Sequence, residues 1–187
     1  MAQTLYLSVV EALSIQCSVD DYVFQGVPAE RVALLGRVML LKARGTRRAV
    51  CGGGTDHGEV LLRRHLAAAR VCPFCSDATK ACLPAAAAEA RASGSLEIFC
   101  RDFAVDDGTG RARCEHACCA CARAEAAADD EPRCDQGALV FVVCEPTRPF
   151  RGGLAFQALR IRVCHAADDE AEAALWWLRR RDAIAVS

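Results

Sequence analysis

The apolar positions of this chain change period several times, and the changes outline its elements. Val32 to Leu41 is an almost unbroken apolar run, Val-Ala-Leu-Leu-Gly-Arg-Val-Met-Leu-Leu. Such a run suits a buried strand or a buried helix equally. Gly36 in its middle favours a strand that bends, as strands must at the corner of a small barrel. Strand character returns from Leu96 to Val105, where Phe99, Arg101 and Phe103 share one face by the period of two. A further strand runs from Arg111 to about Cys119. Ala138 to Val143 is continuously apolar and β-branched, which reads as a buried strand. Leu154 to Cys164 ends in clean alternation, with Leu159, Ile161 and Val163 on one face and Arg160 and Arg162 on the other.

Near the C-terminus the period becomes helical. Ala171, Ala174, Leu175 and Leu178 form an i, i+3, i+4, i+7 stripe within a helix predicted over 168–181. Acidic residues at 168–170 and arginines at 179–181 suit the two ends of its macrodipole. Trp176 lies well off the stripe. At the N-terminus, residues 2–16 begin with alternation and shift toward helical spacing, which predicts a short strand or helix outside the barrel. Gly26-Val27-Pro28 reads as a turn, with Pro28 fixing φ and removing a donor.

Two stretches punctuate the strands. Asp106-Asp107-Gly108-Thr109-Gly110 reads as a hairpin turn. The two carboxylates can bond their own backbone two residues on, and Gly108 and Gly110 are expected to supply φ > 0. Residues 44–96 interrupt the first two barrel strands and read as a large insertion. They hold Gly52-Gly53-Gly54, a helix-like piece over 59–70, Cys72-Pro73-Phe74-Cys75 and an alanine-rich run over 84–92. Residues 120–137 are alanine-rich, then acidic, and read as a helix that stops or a loop. Five strands and a closing helix predict an all-β fold with a flanking helix. The arrangement is that of a five-stranded Greek-key barrel, the OB-fold, as a single domain over 1–187.

Composition narrows the partners. The 187 residues carry a net charge of −1, so nucleic acid must be recognised by a local patch rather than by bulk charge. No segment reaches the roughly 20 apolar residues of a membrane-spanning helix. The first ten residues lack the basic and apolar regions of a signal peptide, which predicts an intracellular protein. Thirteen cysteines is an odd and high number. In a reducing compartment they act as buried thiols or metal ligands rather than disulfides. No G-x-S-x-G, phosphate-binding loop or His/Glu metal-hydrolase motif is present, so an enzyme is not expected.

Two motifs resemble a known family. Gly26-Val27-Pro28-Ala29-Glu30-Arg31-Val32, leading into Leu35-Gly36-Arg37-Val38, resembles the opening of a group of OB-fold proteins. The group includes the middle subunit of replication protein A and the Stn subunit of the Ctc–Stn–Ten (CST) telomere complex. Phe103 to Gly110, followed by Cys114, is similar to the group's second signature and is closest to the short plant-type Stn form. The chain departs from the family in the 44–96 insertion. It departs again in Cys114-Glu115-His116-Ala117-Cys118-Cys119, where relatives carry apolar residues and often a Trp. The resemblance implies a non-catalytic subunit acting in the nucleus, at telomeric chromosome ends, in capping and C-strand fill-in. Its implied partners are the single-stranded 3′ overhang, a Ten-type small OB-fold subunit, a Ctc-type large subunit and DNA polymerase α–primase.

Candidate residues follow. OB-folds bind single strands through stacking aromatics and backbone-tracking cations. Phe99, Arg101 and Phe103, then Arg111 and Arg113, then Arg148, Phe150 and Arg151 in the last long loop, and Arg160 and Arg162, are the nucleic-acid candidates. The bland alternative for each is a core aromatic or a solvated arginine. Leu175, Trp176, Trp177 and Leu178 are the partner candidates, since the resemblance implies that this helix packs on the matching helix of the Ten subunit. The alternative is that one Trp caps the barrel and the other is incidental. No cofactor is expected. Zinc is the alternative, with Cys72 and Cys75 as one half-site and Cys114 and His116 as ligands from the following strand. Two other readings remain: a replication protein A-like middle subunit, or a zinc-dependent protein-interaction module.

Overall fold

The computed structural model describes residues 3–18, 21–50, 56–70, 72–73, 80–119, 134, 136–148, 153–164 and 169–185. Strands β1 (Thr4–Tyr6), β2 (Gln16–Cys17), β3 (Tyr22–Phe24), β4 (Val27–Pro28) and β5 (Arg31–Val50) come first, with helix α1 (Val9–Leu13) after β1. Helices α2 (Asp56–Arg70) and α3 (Leu83–Ser93) follow. The rest is β6 (Ser95–Asp106), β7 (Arg111–Cys119), β8 (Leu139–Thr147), β9 (Ala155–Val163) and helix α4 (Asp169–Ala185).

Sheet order β5-β6-β7-β9-β8, with β8 paired back to β5, closes a five-stranded barrel. This is the OB-fold expected from the sequence. β1 adds to β5 in parallel, and β2-β3-β4 form a separate small antiparallel sheet. Pro28 lies in β4 rather than in the turn, opposite Val23 on an edge strand where its missing N–H costs no ladder bond. The turn itself is Gln25-Gly26, both at positive φ.

The chain divides into two compact units, where the sequence reading has one domain with an insertion. The first comprises Met1–Leu41, Phe103–Glu115 and Gln136–Ser187, and the second Lys42–Asp102 and His116–Asp135. In the first unit Val32, Leu34 and Val38, Phe103 and Val105, Ala112 and Cys114, and Val140, Val142 and Cys144 are buried, forming the core with Phe156 and Ile161. β8 alternates buried and half-buried residues along its whole length. Its run is apolar on both faces because the outer face is also covered. Leu35 packs with Cys164 and Trp176, and Tyr6, Leu139, Phe141 and Ala173 join that cluster. β8 pairs with β9 with a shift between Val143 and Cys144, where Leu159 is the extra residue.

Gly36 permits the close approach of β5 and β6. A Cβ there would lie 2.6 Å from the Asp106 carbonyl oxygen and 2.7 Å from Val105 Cγ1. In the second unit α2 packs on α3, with Ala69 and Leu83 buried and Leu66 and Ala86 against them. The alanine-rich run is therefore helical, as the strongest helix former dictates once Pro84 has started it and a left-handed Gly94 has stopped it. Glu59 ties the pair by accepting bonds from Arg63 and Arg91, each at 3.1 Å. Among the described residues no helix is long and apolar enough to cross a membrane.

Candidate partner and nucleic-acid surfaces

Helix α4 docks by a face other than its apolar stripe. Trp176 is 4% exposed and fills the outer cluster around Leu35 and Phe141. Leu175 and Leu178, the large members of the stripe, face solvent, as do Ala171 and Ala174. The reversal has a simple cause. The Trp176 indole fills the space among Leu35, Leu139 and Phe141 as a single rigid ring. The helix also runs on to Ala185 with no breaker, so Arg179 to Arg181 sit inside it rather than in its last turn.

Trp177 stands edge-on to Trp176, with ring centroids 4.8 Å apart at 84°, and remains 54% exposed. The Arg180 guanidinium lies 4.7 Å from the Trp177 ring centre and 5.7 Å from that of Trp176. Its Nη2 donates to Glu11 Oε1 of α1 at 2.6 Å. Glu11 also accepts the Ser8 backbone N–H and hydroxyl, each at 2.8 Å. Burial works against the Glu11 carboxylate, but the Arg180 bond, the two Ser8 bonds and the Arg180 charge outweigh it. The carboxyl is held below its usual range.

The hairpin turn reaches the same place. Asp107 Oδ1 accepts from the Thr109 N–H at 2.9 Å and from its hydroxyl at 2.6 Å. Its other oxygen accepts the Val9 N–H at 2.8 Å, and Thr109 Oγ1 accepts the Val10 N–H at 3.1 Å. The turn thus satisfies two backbone donors at the start of α1. Asp106 accepts the Gly108 N–H, and Arg111 pairs with it at 2.9 Å, which draws its carboxyl below the usual range. Gly108 has the expected positive φ of 85°. Gly110 does not. Its requirement is space, since a Cβ would stand 3.3 Å from Val9 Cγ1. A groove of about 480 Å³ opens beside these parts, lined among others by Gly36, Arg37, Asp106, Asp107, Trp176 and Trp177.

The nucleic-acid candidates separate. Phe103 is 2% exposed and belongs to the barrel core, so its ring is not offered to a base; period two gave its strand but not its inward direction. Arg101 is half-buried. Arg111 and Arg113 are exposed on β7, Arg111 being engaged with Asp106. Arg148 is exposed and donates to the Cys17 carbonyl at 2.5 Å. Arg160 and Arg162 are exposed and register with Val143 and Phe141 on the outer face of β8. Arg162 sits 5.6 Å over the Phe141 ring. Phe150, Arg151 and the Phe99 side chain lie outside the described residues.

Among the described residues the cysteines present no assembled metal site. Cys114 is fully buried in the first unit, and its burial pushes the thiol up to about 12. Cys144, raised by burial and by its neighbours Cys114 and Glu145, is likewise a core thiol donating to the Val32 carbonyl. Cys72 and His116 are buried in the second unit. Cys75 lies outside the described residues, and no three metal-ligating side chains converge among the described ones.

Sequence reasoning missed the ties between the turn, α1 and α4. One signal was available: Ser8-Val9-Val10-Glu11 has the spacing of a capping box.

No protein-family model and no curated protein sequence matches the chain. Its fold is similar to that of a chain in the crystal structure of the S. pombe Stn1-Ten1 complex. The TM-score is 0.52 at 12% identity, over 97% of this chain and 90% of that one. A chain in the crystal structure of yeast Stn1 and Ten1 matches with a TM-score of 0.44 at 11% identity, over 97% and 71%.

Proposed function

We propose that this chain is a CST-like OB-fold subunit that pairs with a small Ten-type OB-fold protein and acts, without catalysis, on single-stranded telomeric 3′ ends in the nucleus. The observation that carries this reading is the exposed apolar face of α4. Leu175, Trp177 and Leu178 point outward from a helix that Trp176 already anchors to the barrel. A docked helix needs no second apolar face for its own stability, and an aromatic anchor beside leucines is what a partner helix packs against. The likeness to a chain of the S. pombe Stn1-Ten1 complex supports the partner's class, and the family motifs support the telomeric setting.

Single-strand binding belongs to the same proposal. Exposed Arg113, Arg160 and Arg162 offer phosphate contacts, while Phe103 is unavailable for stacking. The chain alone therefore binds single strands weakly and with steep salt dependence, and the assembled complex supplies the remaining surface. Recruitment of a Ctc-type subunit and of polymerase α–primase completes the role in capping and fill-in. The test is co-expression with the source organism's Ten-type subunit. A one-to-one complex by size exclusion with light scattering is expected, binding a G-rich single strand more tightly than either subunit alone. A chain that stays monomeric beside that subunit contradicts the proposal.

A further inference from the structure

Among the described residues six large apolar side chains are exposed, and five lie on two helices: Val10 and Leu13 on α1, and Leu175, Trp177 and Leu178 on α4. Scattered exposed hydrophobics are ordinary, but clustering is not. The two helices are joined directly, because Arg180 bonds Glu11 while covering Trp177. Val10 and Glu11 are adjacent on α1, so the bond brings that helix to the rim of the α4 surface.

Helix α1 is too short to hold itself. Five residues are far below the length at which an isolated helix persists. It is held from outside, by Asp107 and Thr109 at its first two N–H groups and by Glu11 through Arg180. Val9 and Ala12 are fully buried, while Val10 and Leu13 are 53% and 41% exposed. A pinned helix that turns Val and Leu outward is a preorganised contact, for which binding need pay little ordering entropy.

Area points the same way. The three exposed residues of α4 offer on the order of 300 Å², well short of the roughly 800 Å² per partner of a stable interface. The footprint has to extend beyond α4, and α1 is the apolar surface attached to it. Resting on the pairing proposed above, we infer that the Ten-type partner's footprint spans α1 as well as α4, with Val10 and Leu13 as contact residues. The Glu11–Arg180 pair is the positioning seam between the two halves. The occupant is the small OB-fold partner rather than a second copy of this chain.

The experiment measures affinity of the full chain for the source organism's Ten-type subunit by calorimetry, with melting temperature and oligomeric state recorded for each variant. Val10→Ser with Leu13→Ser, both exposed, is expected to weaken binding at least tenfold while the melting temperature holds. Glu11→Gln is expected to weaken it a few-fold and to alter the near-ultraviolet circular dichroism of the tryptophans. Val60→Ser, at the sixth exposed position on α2, is expected to change nothing. If Leu175→Ser with Trp177→Ala abolishes binding while the α1 variant binds like the wild type, the two-helix footprint is overturned and the pairing stands. If the wild type does not bind the subunit, or self-associates through α1 in its place, both fail.

Discussion

Trp176 and Trp177 are neighbours in the chain with opposite surroundings. One is 4% exposed in a cluster with Leu35, and the other is 54% exposed under the Arg180 guanidinium. The difference shows how α4 divides its work. Its inner face is set by one indole that the barrel wall was built to receive, and its outer face carries the leucines that stripe counting would have placed inside.

The strongest way to break this comparison is to truncate each ring separately. Trp176→Ala leaves a cavity in the outer cluster and is expected to cost about 3–5 kcal/mol, read as a lower denaturation midpoint. Trp177→Ala is expected to cost less than about 1 kcal/mol in stability, while removing about 2 kcal/mol or more of partner binding. Equal stability losses would erase the distinction between the two faces.

A second test concerns the barrel wall under the helix. Gly36→Ala places a Cβ 2.6 Å from a backbone oxygen, which cannot rotate away. About 1–3 kcal/mol of destabilisation is expected from forcing β5 and β6 apart, measured by urea unfolding. A third concerns the turn. Asp107→Ala removes an acceptor for Val9 N–H and for both donors of Thr109, at a cost of about 1–2 kcal/mol. Hydrogen exchange at Val9 should rise with it.

Much of the barrel was legible in the sequence, and the reasons are local. The strands at 95–106, 111–119, 139–147 and 155–163 follow from apolar runs, alternation and a turn whose Asp residues bond the backbone two positions on, whereas β5 runs on to Val50, past the apolar run that ends at Leu41 and into the stretch read as an insertion. What was not legible depends on partners distant in sequence. Alternation places Phe103 on one face but cannot say that this face is the interior. A helical stripe counts Ala171 and Leu175 alike and does not see the cluster around Leu35 that receives Trp176. Asp107 and Val9 are separated by 98 positions, and Glu11 and Arg180 by 169, so no window spans either pair. The cysteines illustrate the same limit: composition counts thirteen of them alike, while Cys114 and Cys144 are buried in the barrel.

A smaller effect sharpens the link between the helices. The Glu11 carboxyl titrates below its usual value in the folded chain. The unfolded chain therefore binds the proton more readily, and the stabilisation is complete above the ordinary carboxyl pKa. It is lost as pH falls through the depressed folded value. The stability difference between wild type and Glu11→Gln should be constant near neutrality and shrink below about pH 4, as followed by urea midpoints at several pH values. The smallest effect concerns the arginines. Arg160→Ala with Arg162→Ala should flatten the salt dependence of single-strand binding by about 0.7 for each phosphate that is no longer neutralised. Fluorescence anisotropy at several salt concentrations reads that slope.

The most direct test of the central claim, that α4 turns its Trp177 face to a Ten-type partner, is the dissociation constant of the full chain for that subunit. It is measured for the wild type and for the Leu175→Ser, Trp177→Ala, Leu178→Ser triple variant. The account predicts a one-to-one complex weakened at least about thirtyfold, or 2 kcal/mol, in a variant that melts at the wild-type temperature. Undiminished binding by that folded variant would contradict it.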